Sequence, residues 1–245
     1  MLLAIDVGNT RIKCAVFEQN TLAEKFVFDK NEALKNFKKI LKKYSNIQYS
    51  ISSFVGNVDK EAFVFLKSKT KCLEINHESE FPFKNLYETP KTLGVDRMVL
   101  TAGAVLLIPK KNVLVIDAGT CITYDFVTSL KEYLGGAISP GLSIRYKSLN
   151  NFTAKLPLLK NKQPENFIGN STNEAIYSGV VNGVIHEIDG FISQYSLKFQ
   201  DLTIILTGGD TDFLAKSLKS TIFAHSNFLL ESLNALFIHH IQSND

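Results

Sequence analysis

A short motif occurs twice in this chain and constrains its fold more than any other feature. Residues 3–10 read Leu-Ala-Ile-Asp-Val-Gly-Asn-Thr, and residues 115–120 read Val-Ile-Asp-Ala-Gly-Thr. In each copy an apolar, strand-like run reaches an Asp, turns through Gly and Thr, and leads into a second strand-like run. The repeat indicates two structurally related halves, each built on a hairpin with a carboxylate at its turn.

Hydrophobic periodicity predicts the other elements. Before the second copy, we expect strands at residues 2–7, 12–18, 21–28 and 47–53, and helices at residues 31–44, 57–68 and 97–107. After it, we expect strands at residues 121–127, 132–138 and 202–206, and helices at residues 142–151 and 172–195. This order is typical of an α/β fold with mixed sheets and flanking helices. A Pro-Lys-Lys-Asn break at residues 109–112 predicts two domains, 1–110 and 111–245.

Composition narrows the functional classes. The 245 residues are 45% apolar, enough for two cores of ordinary size, and the net charge is only +3. Because no arginine-rich block is present, a nucleic-acid partner is not expected. The chain shows neither a signal-like segment nor an apolar run long enough to span a bilayer. We therefore expect a cytoplasmic protein without a membrane partner.

The Asp-containing turn suits a phosphate ligand. A carboxylate beside the backbone N–H groups and hydroxyl of a tight turn provides what nucleotide phosphates with Mg²⁺ require. Asp6 is expected to bind hydrated Mg²⁺, and the residues expected to surround ATP are Asp6, Val7, Gly8, Asn9, Thr10, Arg11, Ile12 and Lys13. Alone, the first copy would fit a plain hairpin with an Asx turn equally well, but the second copy at Asp117 favours the phosphate site. The chain contains no P-loop motif and no G-x-G-x-x-G.

Further motifs point to a known family. With Thr-Gly-Gly at residues 207–209, the two Asp-x-Gly motifs resemble those of the superfamily that contains actin, sugar kinases and the Hsp70 chaperones. Five segments resemble the type III pantothenate kinases: residues 94–97 (Gly-Val-Asp-Arg), 117–125, 135–141, 148–157 and 169–179. The resemblance implies duplicated RNase H-like (actin-like) domains with an ATP cleft between them. It also implies ATP-dependent phosphorylation of pantothenate to 4'-phosphopantothenate, the first step of coenzyme A biosynthesis.

The resemblance also assigns roles to residues. Asp96 is the expected catalytic base, because transfer to an alcohol needs a carboxylate that accepts the hydroxyl proton. The residues implied to contact pantothenate are Tyr87, Gly94, Val95, Asp96, Arg97 and Thr172. Other interpretations stay open, since Asp96 and Thr172 are each good helix N-caps and Tyr87 could be an ordinary half-buried aromatic.

Cations and assembly follow from the same resemblance. Asp117 is expected either to act as an outer-sphere ligand of Mg²⁺ or to bind a monovalent cation, K⁺ or NH₄⁺, and Thr120 to contact ATP. The family implies a homodimer in which Thr172 reaches the substrate bound to the other copy. One departure is Leu-Glu-Ser-Leu at residues 230–233, where the family has Leu-Glu-Gly-Leu. We expect this change to affect local packing more than chemistry.

Two other functions fit parts of the sequence. Some relatives of this family are accessory factors in transcription, and related kinases act on a sugar or an acetate-like acid. The presence of Asp6, Asp96, Arg97 and Asp117 together disfavours a purely binding protein, which has no chemical need for three carboxylates at one site. The segments at residues 94–97 and 148–157 disfavour a different acceptor.

Overall fold

The computed structural model describes residues 1–54 and 59–244. The strands in this part of the chain are β1 Leu2–Val7, β2 Arg11–Glu18, β3 Thr21–Asp29, β4 Tyr49–Phe54, β5 Lys71–Ile75, β6 Lys84–Asn85, β7 Asn112–Ala118, β8 Cys121–Val127, β9 Glu132–Pro140, β10 Leu202–Thr207 and β11 Phe223–Ala224. The helices are α1 Ala33–Lys43, α2 Lys60–Lys69, α3 Val95–Leu107, α4 Leu142–Asn151, α5 Thr172–Tyr177, α6 Gly183–Lys198, α7 Thr211–Leu214 and α8 Phe228–Asn244. None of these helices has both the length and the apolar composition that crossing a bilayer requires.

Sheet 1 has the strand order β3-β2-β1-β4-β5. Strand β1 is antiparallel to β2 and parallel to β4, and β4 is parallel to β5. All six residues of β1 are buried, and its side chains share a core with Phe37 of α1 and Phe63 of α2. Because β1 is hydrogen-bonded to β2 on one side and to β4 on the other, the turn at its carboxyl end starts from a strand held on both sides.

Sheet 2 repeats this topology. Its order is β11-β10-β7-β8-β9-β6, so β9-β8-β7-β10-β11 corresponds to β3-β2-β1-β4-β5 of sheet 1. Strand β7 is antiparallel to β8 and parallel to β10, and β10 is parallel to β11. Helices α4 and α6 contribute Leu142, Tyr146 and Ile188 to its core. The duplicated α/β topology predicted from the repeated motif is confirmed.

Contacts divide the chain into two compact units. Unit 1 comprises Met1–Lys110, Leu130–Leu134 and Asn227–Asp245, and unit 2 comprises Lys111–Ser129 and Gly135–Ser226. Helix α8 belongs to unit 1 because it packs on α3, β1, β2 and β4. The domain boundary near residue 110 stays a prediction. The compact units differ from the predicted domains in two segments, Leu130–Leu134 and the C-terminal segment that contains α8, which both belong to unit 1.

Several predicted helices differ from the observed ones at their ends. Residues 31 and 32 belong to a short 3₁₀ turn before α1. Helix α2 begins at Lys60 with Asp59 as its N-cap, and the predicted start at Asn57 lies outside the described residues. The single helix predicted at residues 172–195 is α5 and α6 joined by a π-helical turn, Ser178–Asn182. A π turn is short and rare, so a prediction from α-helical periodicity treats the segment as one continuous helix.

Helix α3 is the most deeply buried helix of unit 1, and it contacts α8 at two small residues. A Cβ atom placed on Gly103 would lie 1.8 Å from Ser232 Oγ and 2.5 Å from Ser232 Cβ. Ser232 is fully buried, and its hydroxyl donates to the Phe228 carbonyl oxygen at 2.7 Å. The Ser that replaces the family's Gly thus lies at a helix crossing with no space for a larger residue at position 103.

We expect Gly103→Ala to lower the free energy of unfolding by about 1–3 kcal/mol, because the added methyl group overpacks this crossing. Ser232→Gly should remove the overlap, so Gly103→Ala should cost less in that background than in the wild type. Urea unfolding of the two single variants and the double variant measures this coupling. Equal costs of Gly103→Ala in both backgrounds would contradict the crossing geometry.

Candidate active site

The first Asp turn places a buried carboxylate at the end of β1. Asp6 is 4% exposed and lies opposite Lys13 of β2 and Ser53 of β4. The Ser53 hydroxyl lies 3.5 Å from Asp6 Oδ1 and donates to it. The Gly8 N–H donates to the Arg11 carbonyl oxygen at 3.1 Å and closes the turn. The sequence did not single out Ser53, because a lone Ser in a strand carries no motif.

The other predicted ATP residues of this turn fall into two groups. Val7 and Ile12 belong to the hydrophobic core of unit 1, so only their backbone groups are available to a ligand. The exposed members are Asn9, Thr10 and Arg11. Arg11 Nε lies 3.5 Å from Asp29 Oδ1 in a mostly exposed ion pair, and Lys13 is half-buried. The turn therefore offers backbone N–H groups and two cationic side chains around one buried carboxylate.

The donor set of this turn suits Mg²⁺. Within residues 1–54 and 59–244, no three His, Cys, Asp or Glu side chains cluster closely enough to hold a metal ion by themselves. A single carboxylate such as Asp6 is instead typical of Mg²⁺ sites that complete their shell with water and substrate phosphate oxygens. Asp6 would hold the ion.

The Gly-Val-Asp-Arg segment forms the start of α3. Gly94 is the N-cap and Asp96 is the second helical residue, so the interpretation of Asp96 as the N-cap is wrong. Asp96 Oδ1 accepts from the Arg97 backbone N–H at 2.8 Å. A Cβ atom on Gly94 would lie 2.4 Å from the same oxygen, so glycine leaves room for the carboxylate. Val95 is buried and can offer a substrate only its backbone.

The environment of Asp96 favours a proton acceptor. Burial raises the pKa of its carboxyl group, while the N–H and the positive charge of Arg97 oppose that rise. A raised pKa strengthens a carboxylate as a general base.

Tyr87 and Arg97, two residues predicted to contact the acceptor, lie together in unit 1. Arg97 is 5% exposed, and its guanidinium carbon lies 5.8 Å from the centroid of the half-buried Tyr87 ring. The His77 ring Nε2 lies 2.8 Å from the Leu93 carbonyl oxygen, which anchors the chain just before Gly94. His77 has no sequence motif, and only the folded chain shows this contact.

The second Asp turn has the same position in sheet 2. Asp117 of β7 lies opposite Thr123 of β8 and Thr207 of β10, and it is half-buried. The Gly119 N–H donates to the Cys121 carbonyl oxygen at 3.0 Å, and Thr120 is exposed at the tip. Asp117 thus corresponds to Asp6 in its strand position, next to the last residue pair of its hairpin, although the loop enclosed by Ala118 and Ile122 is one residue shorter than that enclosed by Val7 and Ile12.

Two glycine-containing segments pack against this second turn. The Gly141 N–H donates to the Thr120 carbonyl oxygen at 3.1 Å, and the Asp210 N–H donates to the Ala118 carbonyl oxygen at 3.0 Å. Gly208 has a φ of 101°, and a Cβ atom there would lie 2.4 Å from both Ala118 O and Asp117 Oδ1. Burial raises the pKa of Asp210. The Pro-Gly and Thr-Gly-Gly motifs therefore fix the position of the Asp117 turn.

Thr172 lies in unit 2 at the start of α5. Ser171 is the N-cap, because its side chain accepts from the Glu174 N–H, and the interpretation of Thr172 as the cap is wrong. Thr172 is exposed and lines a cavity of about 610 Å³. The other residues that line the cavity are Arg145, Ser148, Leu149, Leu156, Ala175, Ile176, Gly179 and Val180.

Comparison with known proteins gives consistent matches. The model of the type III pantothenate kinase family matches residues 2–194. The chain is 56% identical to the type III pantothenate kinase of Flavobacterium johnsoniae over 244 residues, which is 100% of both chains. It is 41% identical to the type III pantothenate kinase of Bacteroides fragilis over 239 residues, which covers 96% of this chain and 97% of that protein.

Solved structures support the fold. A Baf family transcriptional activator from Campylobacter jejuni matches with a TM-score of 0.61 at 22% identity, covering 98% of this chain and 99% of that one. A ROK family glucokinase from Streptomyces griseus, solved with glucose and AMPPNP, matches with a TM-score of 0.55 at 11% identity, covering 96% and 98%. At these identities the matches speak to the fold alone, and they confirm the predicted actin-like α/β class.

Proposed function

Because the chain belongs to the type III pantothenate kinase family, we propose that it transfers the γ-phosphoryl group of ATP to pantothenate and forms 4'-phosphopantothenate in coenzyme A biosynthesis. The observation that carries the proposal is the start of α3. There, a carboxylate with a raised pKa lies beside a buried arginine, on a helix whose capping glycine leaves room for that carboxylate. This arrangement suits a base for an alcohol acceptor.

In this mechanism the oxygen of the primary hydroxyl group of pantothenate attacks the γ-phosphorus of ATP. Asp96 accepts the proton that this hydroxyl group loses. The bond between that phosphorus and the bridging oxygen breaks, and ADP leaves with the electron pair. Arg97, held over Tyr87, donates to polar groups of the acceptor. Gly94 and Val95 contribute backbone groups, and Thr172 contributes its exposed hydroxyl.

The two Asp turns bind the nucleotide. Residues 6–13 would surround the β- and γ-phosphates with backbone N–H groups and the side chains of Asn9, Thr10, Arg11 and Lys13, and Thr120 would contact ATP. Asp6 would hold Mg²⁺, which would supply positive charge to the transferred phosphoryl group. Asp117, half-buried opposite Thr123 and Thr207, would hold K⁺ or NH₄⁺ or would support the binding of Mg²⁺.

We further propose a cytoplasmic homodimer in which Thr172 serves the acceptor bound to the other copy. Support comes from unit 2, where several large apolar side chains are exposed: Ile138, Phe152, Leu158, Phe167 and Ile168. A second copy could cover such side chains. ATP and pantothenate are both small metabolites of the cytoplasm.

The competing functions are less well supported. An accessory factor in transcription needs neither a base with a raised pKa nor a second Asp turn fixed by Gly208. A sugar or an acetate-like acid as acceptor is disfavoured by the family match and by the segments at residues 94–97 and 148–157, which resemble the type III pantothenate kinases.

Release of ADP by the purified protein tests this function. We expect turnover with pantothenate, ATP, Mg²⁺ and K⁺, a product one phosphate heavier than pantothenate, and little turnover when Na⁺ replaces K⁺ or when glucose or acetate replaces pantothenate. Sedimentation equilibrium of the same sample should give twice the 27.3 kDa chain mass. ADP release that is equally fast without any acceptor would contradict the proposed function.

A further inference from the structure

Three polar side chains of unit 2 converge on one carboxylate that the mechanism above does not use. Glu187 of α6 accepts through Oε1 from Tyr124 Oη of β8 at 3.0 Å and from Ser139 Oγ of β9 at 2.5 Å. Its Oε2 accepts from Arg145 Nη2 of α4, also at 2.5 Å. Glu187 therefore joins two strands and two helices of unit 2.

The Arg145–Glu187 pair is well shielded from solvent. Both side chains are 23% exposed, and Tyr124 is fully buried. Burial alone would raise the pKa of Glu187, but the hydrogen bonds from Ser139, Arg145 and Tyr124 and the charge of Arg145 outweigh it and lower the pKa. The carboxylate is thus held ionised, and it fixes the guanidinium group in one orientation.

Arg145 connects this cluster to the second Asp turn. Its Nε donates to the Pro140 carbonyl oxygen, the last of β9, at 2.8 Å. The next residue, Gly141, donates its N–H to the Thr120 carbonyl oxygen at 3.1 Å. A Cβ atom on Gly141 would lie 2.3 Å from Gly119 O and 2.6 Å from Thr120 O, so the two backbones are in close contact. A shift at Pro140 would therefore be transmitted to the turn.

We propose that Arg145 and Glu187 are positioning residues that set the place of the Gly119–Thr120 turn for the phosphates of ATP, acting through the backbone of Pro140 and Gly141. The inference deepens the proposed function, since it depends on the turn binding nucleotide. On this proposal, Arg145 and Glu187 affect the binding of the nucleotide and not the binding of the acceptor, although Arg145 also lines the Thr172 cavity. A comparison of the binding of nucleotide with the KM for pantothenate therefore tests the proposal.

Direct nucleotide binding is the primary measurement, because it requires no acceptor. We expect Glu187→Gln and Arg145→Gln to raise the Kd of Mg²⁺–AMPPNP, measured by calorimetry, about tenfold, since small displacements of positioning groups have effects of at least this order. The KM for ATP should rise in parallel, and the KM for pantothenate should stay within about twofold. Asp189→Asn is the matched control: Asp189 also lies on α6, but its carboxylate accepts from Ser220 and Lys219, not from the cluster.

Arg145→Lys separates positioning from stability. Lysine keeps the charge opposite Glu187 but lacks the rigid fork that also reaches Pro140 O. We expect this variant to melt close to the wild type and still to bind Mg²⁺–AMPPNP more weakly. If the Gln variants do not fold, Tyr124→Phe removes one bond to Glu187, keeps the buried ring, and should give a smaller change in the same Kd.

Two results would overturn the inference. One is a lower melting temperature with an unchanged Kd for Mg²⁺–AMPPNP, which would make the cluster purely structural. The other is a raised KM for pantothenate with unchanged nucleotide binding, which would place Arg145 in the acceptor site. Failure of the proposed function looks different, because the wild type would then bind nucleotide but show no turnover with pantothenate.

Discussion

Replacing Asp96 by Asn is expected to lower kcat for pantothenate phosphorylation by about 10³-fold while the Kd of Mg²⁺–AMPPNP changes by less than about twofold. The amide has the size of the carboxylate but cannot accept the hydroxyl proton of the acceptor. Asp96 lies in α3 and the nucleotide turns follow β1 and β7, so the change should spare nucleotide binding. Single-turnover phosphate transfer and calorimetry measure the two quantities separately.

The pKa of Asp96 adds a second signature to this prediction. Because burial raises that pKa, kcat/KM of the wild type should fall as pH drops through a value above the ordinary carboxyl range. The free energy of unfolding should change with pH in the opposite direction to kcat/KM. A carboxyl group whose pKa is raised in the folded state stabilises the fold at low pH, and this contribution is lost as pH rises through the folded-state pKa. At neutral pH, Asp96→Asn should therefore melt no lower than the wild type.

A matched control is Asp59→Asn in the same unit. Asp59 caps α2 by accepting from the Glu61 N–H, and Asn performs that role about equally well. It should leave kcat, the pH profile and the melting temperature unchanged. If Asp96→Asn retained more than about a tenth of wild-type kcat, Asp96 would not be the general base.

The fold was predictable where local signals repeat. The Asp6 and Asp117 motifs each specify a strand, a tight turn and a returning strand within a few residues, so the duplicated hairpins followed from the sequence. The attachment of α8 to unit 1 was not predictable, because it depends on the fit of Gly103 against Ser232, far apart in the chain. Local patterns contain no information on such a contact.

The sequence suggested site residues only where the proposed chemistry is concentrated in a motif, and their roles stay predictions. Asp96 and Arg97 are adjacent, and their segment could be recognised from the sequence. The cap of α5 was harder, since Ser171 and Thr172 are both capable caps and the extended backbone of Ser171 decides between them. Glu187 was missed because its partners come from three other elements and none of them is near in sequence.

Substitution by alanine should destabilise the protein strongly at the first glycine of the Thr-Gly-Gly motif and hardly at all at the second. Gly208 has a φ of 101°, and a methyl group there would lie 2.4 Å from Asp117 Oδ1 and from Ala118 O. The strained backbone and the overlap together should lower the free energy of unfolding by about 2–4 kcal/mol. A Cβ atom on Gly209 meets nothing within 4 Å among the described residues, so Gly209→Ala should leave stability nearly unchanged.

The same overlap should weaken nucleotide binding, because the methyl group of Gly208→Ala must displace either the Asp117 carboxylate or the turn that bears it. We expect the Kd of Mg²⁺–AMPPNP to rise at least about tenfold, measured below the melting range of the variant. If Asp117 holds the monovalent cation, activation by K⁺ should also need higher concentrations. Nucleotide binding that survives Gly208→Ala intact, in a folded variant, would show that the Asp117 turn is not part of the phosphate site.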